Sequence, residues 1–298
     1  MTHLLEQIKA HSTRLFEKTQ QTRRHLHAHP ELSFEEFETA RFVAERLRNL
    51  GLSPQEGIAG TGVVVTIEGT KAPSSRVIGL RADMDALPIL EQNEVTYSST
   101  KPGVMHACGH DVHTSSLLST AEILTELRHE FEGTFKLVFQ PAEEKAPGGA
   151  SLLIKEGVLE NPQVQRMFGQ HVAPNVPVGK IGFREGMYMA STDEIYMTII
   201  GKGGHGAAPD QLIDPVLIAS HIIVSLQQII SRNKKPANPS VLSFGRFIAD
   251  GVTNVIPNEV KIEGTYRCMD EEWREEGLRK MKKMAEGIAD AMGAVCDF

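Results

Sequence analysis

The stretch from Val104 to His113, V-M-H-A-C-G-H-D-V-H, holds four side chains of metal-ligand type: His106, Cys108, His110 and His113, with Asp111 among them. Cys108 and His110 stand two apart, so in an extended segment both project to one side. A thiolate and an imidazole placed so can share a divalent transition metal, and neither donor suits calcium or magnesium. Gly109 between them permits a tight turn. A lone histidine near a lone cysteine is ordinary core packing or surface chance. Three histidines, a cysteine and an aspartate beside glycine form a denser cluster, and a metal there requires ligands from elsewhere in the chain.

Further candidates stand where strands read as ending. Val77 to Ala82 (V-I-G-L-R-A) is a strand by pattern, and it exits into D-M-D-A-L-P. Asp83 and Asp85 then lie where α/β folds place functional residues, although one of them could simply cap the turn before Pro88. T-F-K-L-V-F-Q is another strand, halted by Pro141, with Glu143 and Glu144 immediately beyond. Adjacent carboxylates on a surface are ordinarily just solvated. At the mouth of a buried strand, with neighbouring side chains diverging, one can bind a cation while the other faces a water or a substrate. That division is what metal-assisted hydrolysis needs. The short strand Met167 to Val172 carries His171, which alone reads as a satisfied core residue. Cys108, His110, Glu144 and His171 together offer one thiolate, two imidazoles and one carboxylate, donors that zinc or manganese-like ions accept.

A chain of 298 residues gives one large or two ordinary domains to position these groups. Its 41% hydrophobic and 23% charged residues are those of a globular protein. The net charge of −7, with no basic run beyond the pair Arg23 and Arg24, argues against a nucleic-acid partner. The amphipathic N-terminus has no apolar signal core, and no window is expected to reach the length of a membrane span. Three cysteines, Cys108, Cys268 and Cys296, are an odd number and far apart, which suits a reducing, cytoplasmic setting.

Residues 4 to 50 read as two helices. Leu4, Leu5, Ile8 and Leu15 recur at helical spacing, Pro30 breaks the run, Ser33 caps the second helix and Gly51 ends it. His25, His27 and His29 alternate, but alternate residues on a helix do not share a face. Gly62 to Glu68 is a strand, Thr114 to Leu127 a helix behind the site, and Ala150 to Glu156 another helix. Composition shifts near Arg184, and G-M-Y-M-A-S reads as a hinge between units of 1–186 and 187–298. The second unit runs strand Thr192 to Ile200, helix Pro215 to Ser231, strands Val241 to Ile248 and Val260 to Tyr266, then helix Glu271 to Met292. Ala294 to Phe298 begins a last strand. This β-α-β-β-α-β order is that of a ferredoxin-like sandwich of one sheet and two helices. G-K-G-G-H-G lacks the closing G-K-[ST] of a phosphate loop, and His205 in it is expected to be exposed on a flexible loop. The chain stops at Phe298 within that last strand, as a fragment would.

R-A-D-M-D-A-L-P, M-H-A-C-G-H-D-V-H, F-Q-P-A-E-E, G-Q-H-V, G-K-G-G-H-G-A-A-P and N-V-I-P, in this order between about His25 and Arg267, together resemble one family. It is the aminoacylase, hippurate and indoleacetyl-amino-acid hydrolase family of metal-dependent amidohydrolases, related to carboxypeptidase G. The resemblance implies an α/β catalytic domain of zinc-peptidase type, interrupted by an α+β lid that also makes a homodimer. It implies one or two divalent metals, manganese or zinc, held by Cys108, His110, Glu144 and His171, with Glu143 as general base. Asp85 would support the metal site. His205 would stabilise the oxyanion in the partner subunit, and Asn254 and Arg267 would meet an N-acyl amino acid. Family members also carry a further histidine ligand near a later C-terminus, to which this chain has no counterpart. A dipeptidase on the same scaffold and a non-catalytic dimerisation module are the alternatives. A Cys108 nucleophile paired with His110 is a weak one, because two residues on one short turn rarely align a thiol with an imidazole.

Overall fold

The computed structural model describes residues 2–298, which divide into two compact units, Met1–Pro177 and Val178–Phe298.

The first unit contains α1 (Thr2–Ala28), α2 (Phe37–Asn49), β1 (Gln55–Ile58), β2 (Gly62–Glu68) and β3 (Val77–Asp83), then α3 (His110–Glu126), β4 (Thr134–Gln140), α4 (Gly149–Lys155) and β5 (Arg166–Gly169). Its sheet runs β1-β2-β4-β3-β5. β3 lies parallel to both β4 and β5, with Asp83 opposite Gln140 and Arg81 opposite Gly169. That register brings the C-terminal ends of three strands to one edge of the sheet, the place where parallel sheets bind ligands. Val63, Val65 and Ile67 of β2 and Leu137 and Phe139 of β4 pack against Val43 and Leu47 of α2 and Leu117 and Leu118 of α3. Val64 and Val138, facing the other way, pack on Leu153 and Val158. Burial on both faces accounts for the consecutive apolar residues Val63–Val65 and Leu137–Phe139.

Ser33 does not cap α2. The residue before that helix is Glu36, which makes no side-chain cap, and the free Thr39 N–H is taken by the Glu31 carboxylate at 2.9 Å. Leu50 closes the helix and Gly51 follows at φ +74°, a left-handed exit that glycine makes without strain.

The second unit contains β6 (Ser191–Ile200), β7 (Gly204–His205), α5 (Pro215–Gln228), β8 (Ser240–Ile248), β9 (Val255–Ile256), β10 (Glu259–Cys268), α6 (Glu271–Ala291) and β11 (Val295–Asp297). β11-β6-β10-β8 form an antiparallel sheet, and β7 pairs with β9 as a separate ribbon. His205 therefore sits in a two-residue strand rather than a flexible loop. Asp214 starts α5 by accepting the Val216 and Leu217 N–H groups, with Pro215 in the first turn. Asp270 accepts the Trp273 N–H to start α6. Contrary to the sequence expectation, one helix, Pro215–Asn233, is long and apolar enough by length and composition to cross a membrane. Its Ile218, Ile222, Leu226 and Ile229 pack in the core with Ile199, Ile262 and Met281, which accounts for the composition.

Candidate metal-binding active site

The edge where β3, β4 and β5 end gathers the chemistry. β3 delivers Asp83 and, two residues on, Asp85; β4 leads through Pro141 to Glu143 and Glu144; β5 leads to His171; and α3 opens at His110. Cys108 and His110 do not lie on an extended segment. The chain turns at Gly109 (φ +90°), and His110 is the first residue of α3. A side chain at 109 would meet Val172 Cγ2 at 2.3 Å, so glycine is required both for the turn and for the approach of the His171 loop.

His110 is the centre of the arrangement. Its Nδ1 donates to the Asp85 carbonyl at 2.8 Å, with the Asp85 carboxylate 3.3 Å away. In the neutral ring that bond leaves Nε2 as the bare nitrogen, buried and without a hydrogen-bond partner. Around it stand Glu144 Oε1 at 3.7 Å, Glu143 Oε2 at 4.0 Å and Asp83 Oδ2 at 3.6 Å. His171 is exposed, and it follows β5 in a loop instead of filling a core strand. Its Nδ1 donates to the Val172 carbonyl at 2.6 Å, which turns Nε2 to Cys108 Sγ at 3.2 Å. Donor atoms of Cys108, His110 and His171 lie within 4.8 Å of one another, as do those of His110, Glu143 and Glu144. The two glutamates thus converge on His110 rather than diverge. This donor set of sulfur, nitrogen and oxygen fits a divalent transition metal, and the orphaned His110 Nε2 is the group such an ion would satisfy.

Asp83, His110 and His113 also lie within ligand distance, but two of the three are committed elsewhere. His113 Nδ1 donates to Asp83 Oδ1 at 2.6 Å while its Nε2 accepts the Val172 N–H at 2.9 Å. Arg81 donates to Asp83 Oδ2 at 2.5 Å. His113 therefore ties the His171 loop to the end of β3. Asp111 is likewise occupied, by His27 Nδ1 at 2.7 Å and Arg23 Nε at 2.8 Å. His106 lies buried with both ring nitrogens unpartnered. Of the five candidates in the central stretch, Cys108 and His110 are the two with a free donor facing the cluster.

The electrostatics fit a cation. Burial pushes the Cys108 thiol up to about 12, helped by Glu144, Glu143 and Asp83, so a thiolate here needs a positive partner. The same direction weighs against an unaided Cys108 nucleophile. Burial also works to raise Asp83, but His113, Arg81 and His110 outweigh it and hold the carboxyl at about 2. Burial, then the neighbouring Glu144, raises Glu143 above the usual carboxylate range, the direction a general base requires. Asp85 is held low against its own burial by His110, Ser33 and the N–H groups of Glu144 and Glu143.

In the second unit, His205 and Asn254 come together across the ribbon, where the Gly206 N–H donates to the Asn254 carbonyl at 2.9 Å. His205 Nδ1 accepts the Ala207 N–H at 3.1 Å, which places the ring proton on Nε2 as a free donor. Arg267 is exposed on β10. Sequence reasoning gave Ser33 only a helix cap's role and missed Glu36, since their partners lie too far along the chain for any local pattern to reveal. Ser33 Oγ donates to Asp85 Oδ2 at 2.6 Å.

Residues 79–295 match the model of peptidase family M20/M25/M40. The chain is 45% identical to an N-acyl-L-amino acid amidohydrolase of Geobacillus stearothermophilus, over 93% of this chain and 74% of the relative. It is 44% identical to a hippurate hydrolase of Campylobacter jejuni, over 90% of this chain and 69% of the relative. Among solved structures, a dinuclear metal-binding peptidase of Bacillus subtilis from the same family superposes with a TM-score of 0.77 at 40% identity, covering 97% of this chain and 73% of that one.

Proposed function

We propose that this chain, which belongs to peptidase family M20/M25/M40, hydrolyses the amide bond of N-acyl-L-amino acids to a carboxylic acid and an amino acid. It is a metal-dependent hydrolase acting on amides. The observation that carries the finer reading is the buried, unpartnered Nε2 of His110 beside two carboxylates. Cys108, His110, Glu144 and His171 would hold one or two ions, zinc or manganese, since mixed sulfur, nitrogen and oxygen donors serve either. A divalent cation bound there supplies Lewis acidity, acidifying water and polarising a carbonyl.

The protein's own groups do the rest. Glu143, its pKa raised, takes the proton of the attacking water on a carboxylate oxygen and delivers it to the departing amine nitrogen. Asp85 fixes the tautomer of His110 and holds the Glu144 backbone N–H at 3.0 Å. His205, with Nε2–H free, is suited to donate to the tetrahedral oxyanion in the partner subunit of a homodimer, a contact typically worth about 3 kcal/mol. Asn254 and Arg267 offer an amide and a guanidinium for the substrate's polar end, the second matching a carboxylate. A homodimer formed through the second unit, and a cytoplasmic setting, complete the reading.

The test is release of free amino acid from N-benzoylglycine and N-acetyl-L-methionine by the purified chain loaded with zinc or manganese. Metal-dependent release that a chelator abolishes and added metal restores supports the proposal. No release with either ion, or release indifferent to chelation, removes it.

A further inference from the structure

Glu36 is a fully buried carboxylate, 0% exposed, outside the set of metal donors. Its Oε1 accepts the Ala142 N–H at 2.7 Å and its Oε2 accepts the Thr61 hydroxyl at 2.6 Å. Ala142 is itself buried and stands at φ +46°, the left-handed region that a residue with a Cβ enters only when held there. The next two residues are Glu143 and Glu144. From the far end of the same turn, Asp85 Oδ2 accepts the Glu144 N–H at 3.0 Å. The Ala142 carbonyl accepts the Gly149 N–H at 2.8 Å, and a Cβ at Gly149 would fall 1.9 Å from the Pro141 oxygen. The turn that carries both glutamates is therefore packed against a bare glycine and gripped at its two ends by buried carboxylates.

We propose that Glu36 is a positioning residue, which holds Ala142 left-handed and so aims Glu143 and Glu144 at His110 Nε2. The inference rests on the reading of Glu144 as a metal ligand and Glu143 as the base. A relaxed Ala142 would rotate the following two residues away from His110, which lies at ligand distance from both. Loss of Glu36 should therefore weaken both metal binding and turnover without touching either group directly.

The experiment titrates cobalt(II) into the full chain and follows its absorption, with kcat and KM for N-acetyl-L-methionine measured alongside. Glu36→Ala is expected to weaken cobalt by about tenfold or more, the usual effect of removing a partner that orients a ligand. It should also lower kcat with KM nearly unchanged. Glu36→Gln should rescue both, because its amide oxygen still accepts the Ala142 N–H while its NH2 donates to Thr61. Thr61→Val, which removes the other bond and spares Ala142, should lower the melting temperature and leave cobalt affinity intact. Ala142→Gly, which enters the left-handed region freely, should restore part of the loss in the Glu36→Ala background. If Glu36→Ala does not fold, Glu36→Asp keeps the charge, shortens the reach and is expected to weaken cobalt several-fold.

Cobalt affinity within twofold of the parent in Glu36→Ala or Glu36→Asp, while Glu144→Ala binds poorly, would overturn the inference and leave the ligand reading standing. An equal loss in Thr61→Val would also overturn it, showing that the buried carboxylate acts through stability alone. Unchanged affinity in Glu144→Ala would remove the ligand reading and this inference with it.

Discussion

The two units bury opposite kinds of side chain. Every buried charged, histidine, glutamine, serine or threonine side chain among the described residues belongs to the first unit, from Thr22 and His27 to Lys136 and Gln140. The core of the second is Ile, Leu, Met, Val and Ala, with Tyr266, Trp273, Cys268 and Cys296. A buried polar group destabilises a fold unless it is bonded, and a buried charge does so more. The second unit largely avoids that cost, Tyr266 Oη and Thr265 Oγ1 being its buried polar side-chain atoms without a partner among the described residues, and its core is held chiefly by the hydrophobic effect. In the first unit the buried groups bond one another in chains, such as Ser33 to Asp85 to the Glu144 N–H and Thr61 to Glu36 to the Ala142 N–H. Those chains end at the backbone N–H groups of Ala142 and Glu144, on the turn whose carboxylates stand near the unpaired His110 Nε2. Burial of polarity on one side of the molecule is thus the mark of its site.

The largest expected effect breaks the site while sparing its scaffold. Glu143→Gln keeps the shape of the side chain and removes its basicity. Turnover should fall by about three orders of magnitude or more, with metal affinity unchanged by titration. Substantial turnover in the variant would take Glu143 out of the role of base.

The same comparison explains what could be read from the chain directly. β2 was legible by its β-branched residues, and β4 by an alternation that passes into the buried apolar run Leu137–Phe139. The second unit was legible because apolar helices and alternating strands follow one another in a known order. The ends of β3 and β4 drew attention to Asp83, Asp85, Glu143 and Glu144 for the same reason. What could not be read was direction. Cys108 and His110 meet across a turn at Gly109, and the two glutamates converge because Ala142 is left-handed. That backbone state is imposed by a carboxylate 106 residues earlier in the chain. No local periodicity encodes such a contact. Ser33 had the chemistry of a helix cap and found its partner in Asp85 instead.

A second test sets one core against the other. In the second unit, Ile222 is fully buried among aliphatic neighbours, and Ile222→Ala should cost about 3 kcal/mol in denaturant unfolding, equally at pH 5 and pH 7. In the first unit, burial lowers His106 to about 4. A histidine kept neutral by the fold stabilises above its unfolded pKa near 6.5, and that stability drains away as pH falls toward about 4. The contribution, about 3 kcal/mol in all, should appear as a slope in unfolding free energy across that window. His106→Leu should flatten the slope at little cost near neutrality, since neither ring nitrogen has a partner to lose. A slope that survives in His106→Leu would assign the acid sensitivity to another group.

The smallest effect sharpens the contrast by holding geometry constant. Arg23 to Asp111 and Arg246 to Glu263 are ion pairs of the same length, 2.8 Å. Asp111 is fully buried at the start of α3, whereas Arg246 and Glu263 face each other across β8 and β10 with 60% and 35% of their side chains exposed. Water screens the second pair, and ordering two long side chains offsets most of its attraction, so a double-mutant cycle should return about 0.5 kcal/mol or less. That value should shrink further in high salt. Arg23→Met removes one of two side-chain partners of a carboxylate that has no solvent to turn to. His27 remains, so the loss should be about 2 kcal/mol rather than the larger penalty of a fully stranded charge. It should also hardly respond to salt. Equal costs at the two sites would mean that the first unit's buried polar chains are no more constrained than the second unit's surface, and the distinction between the units would fail at its source.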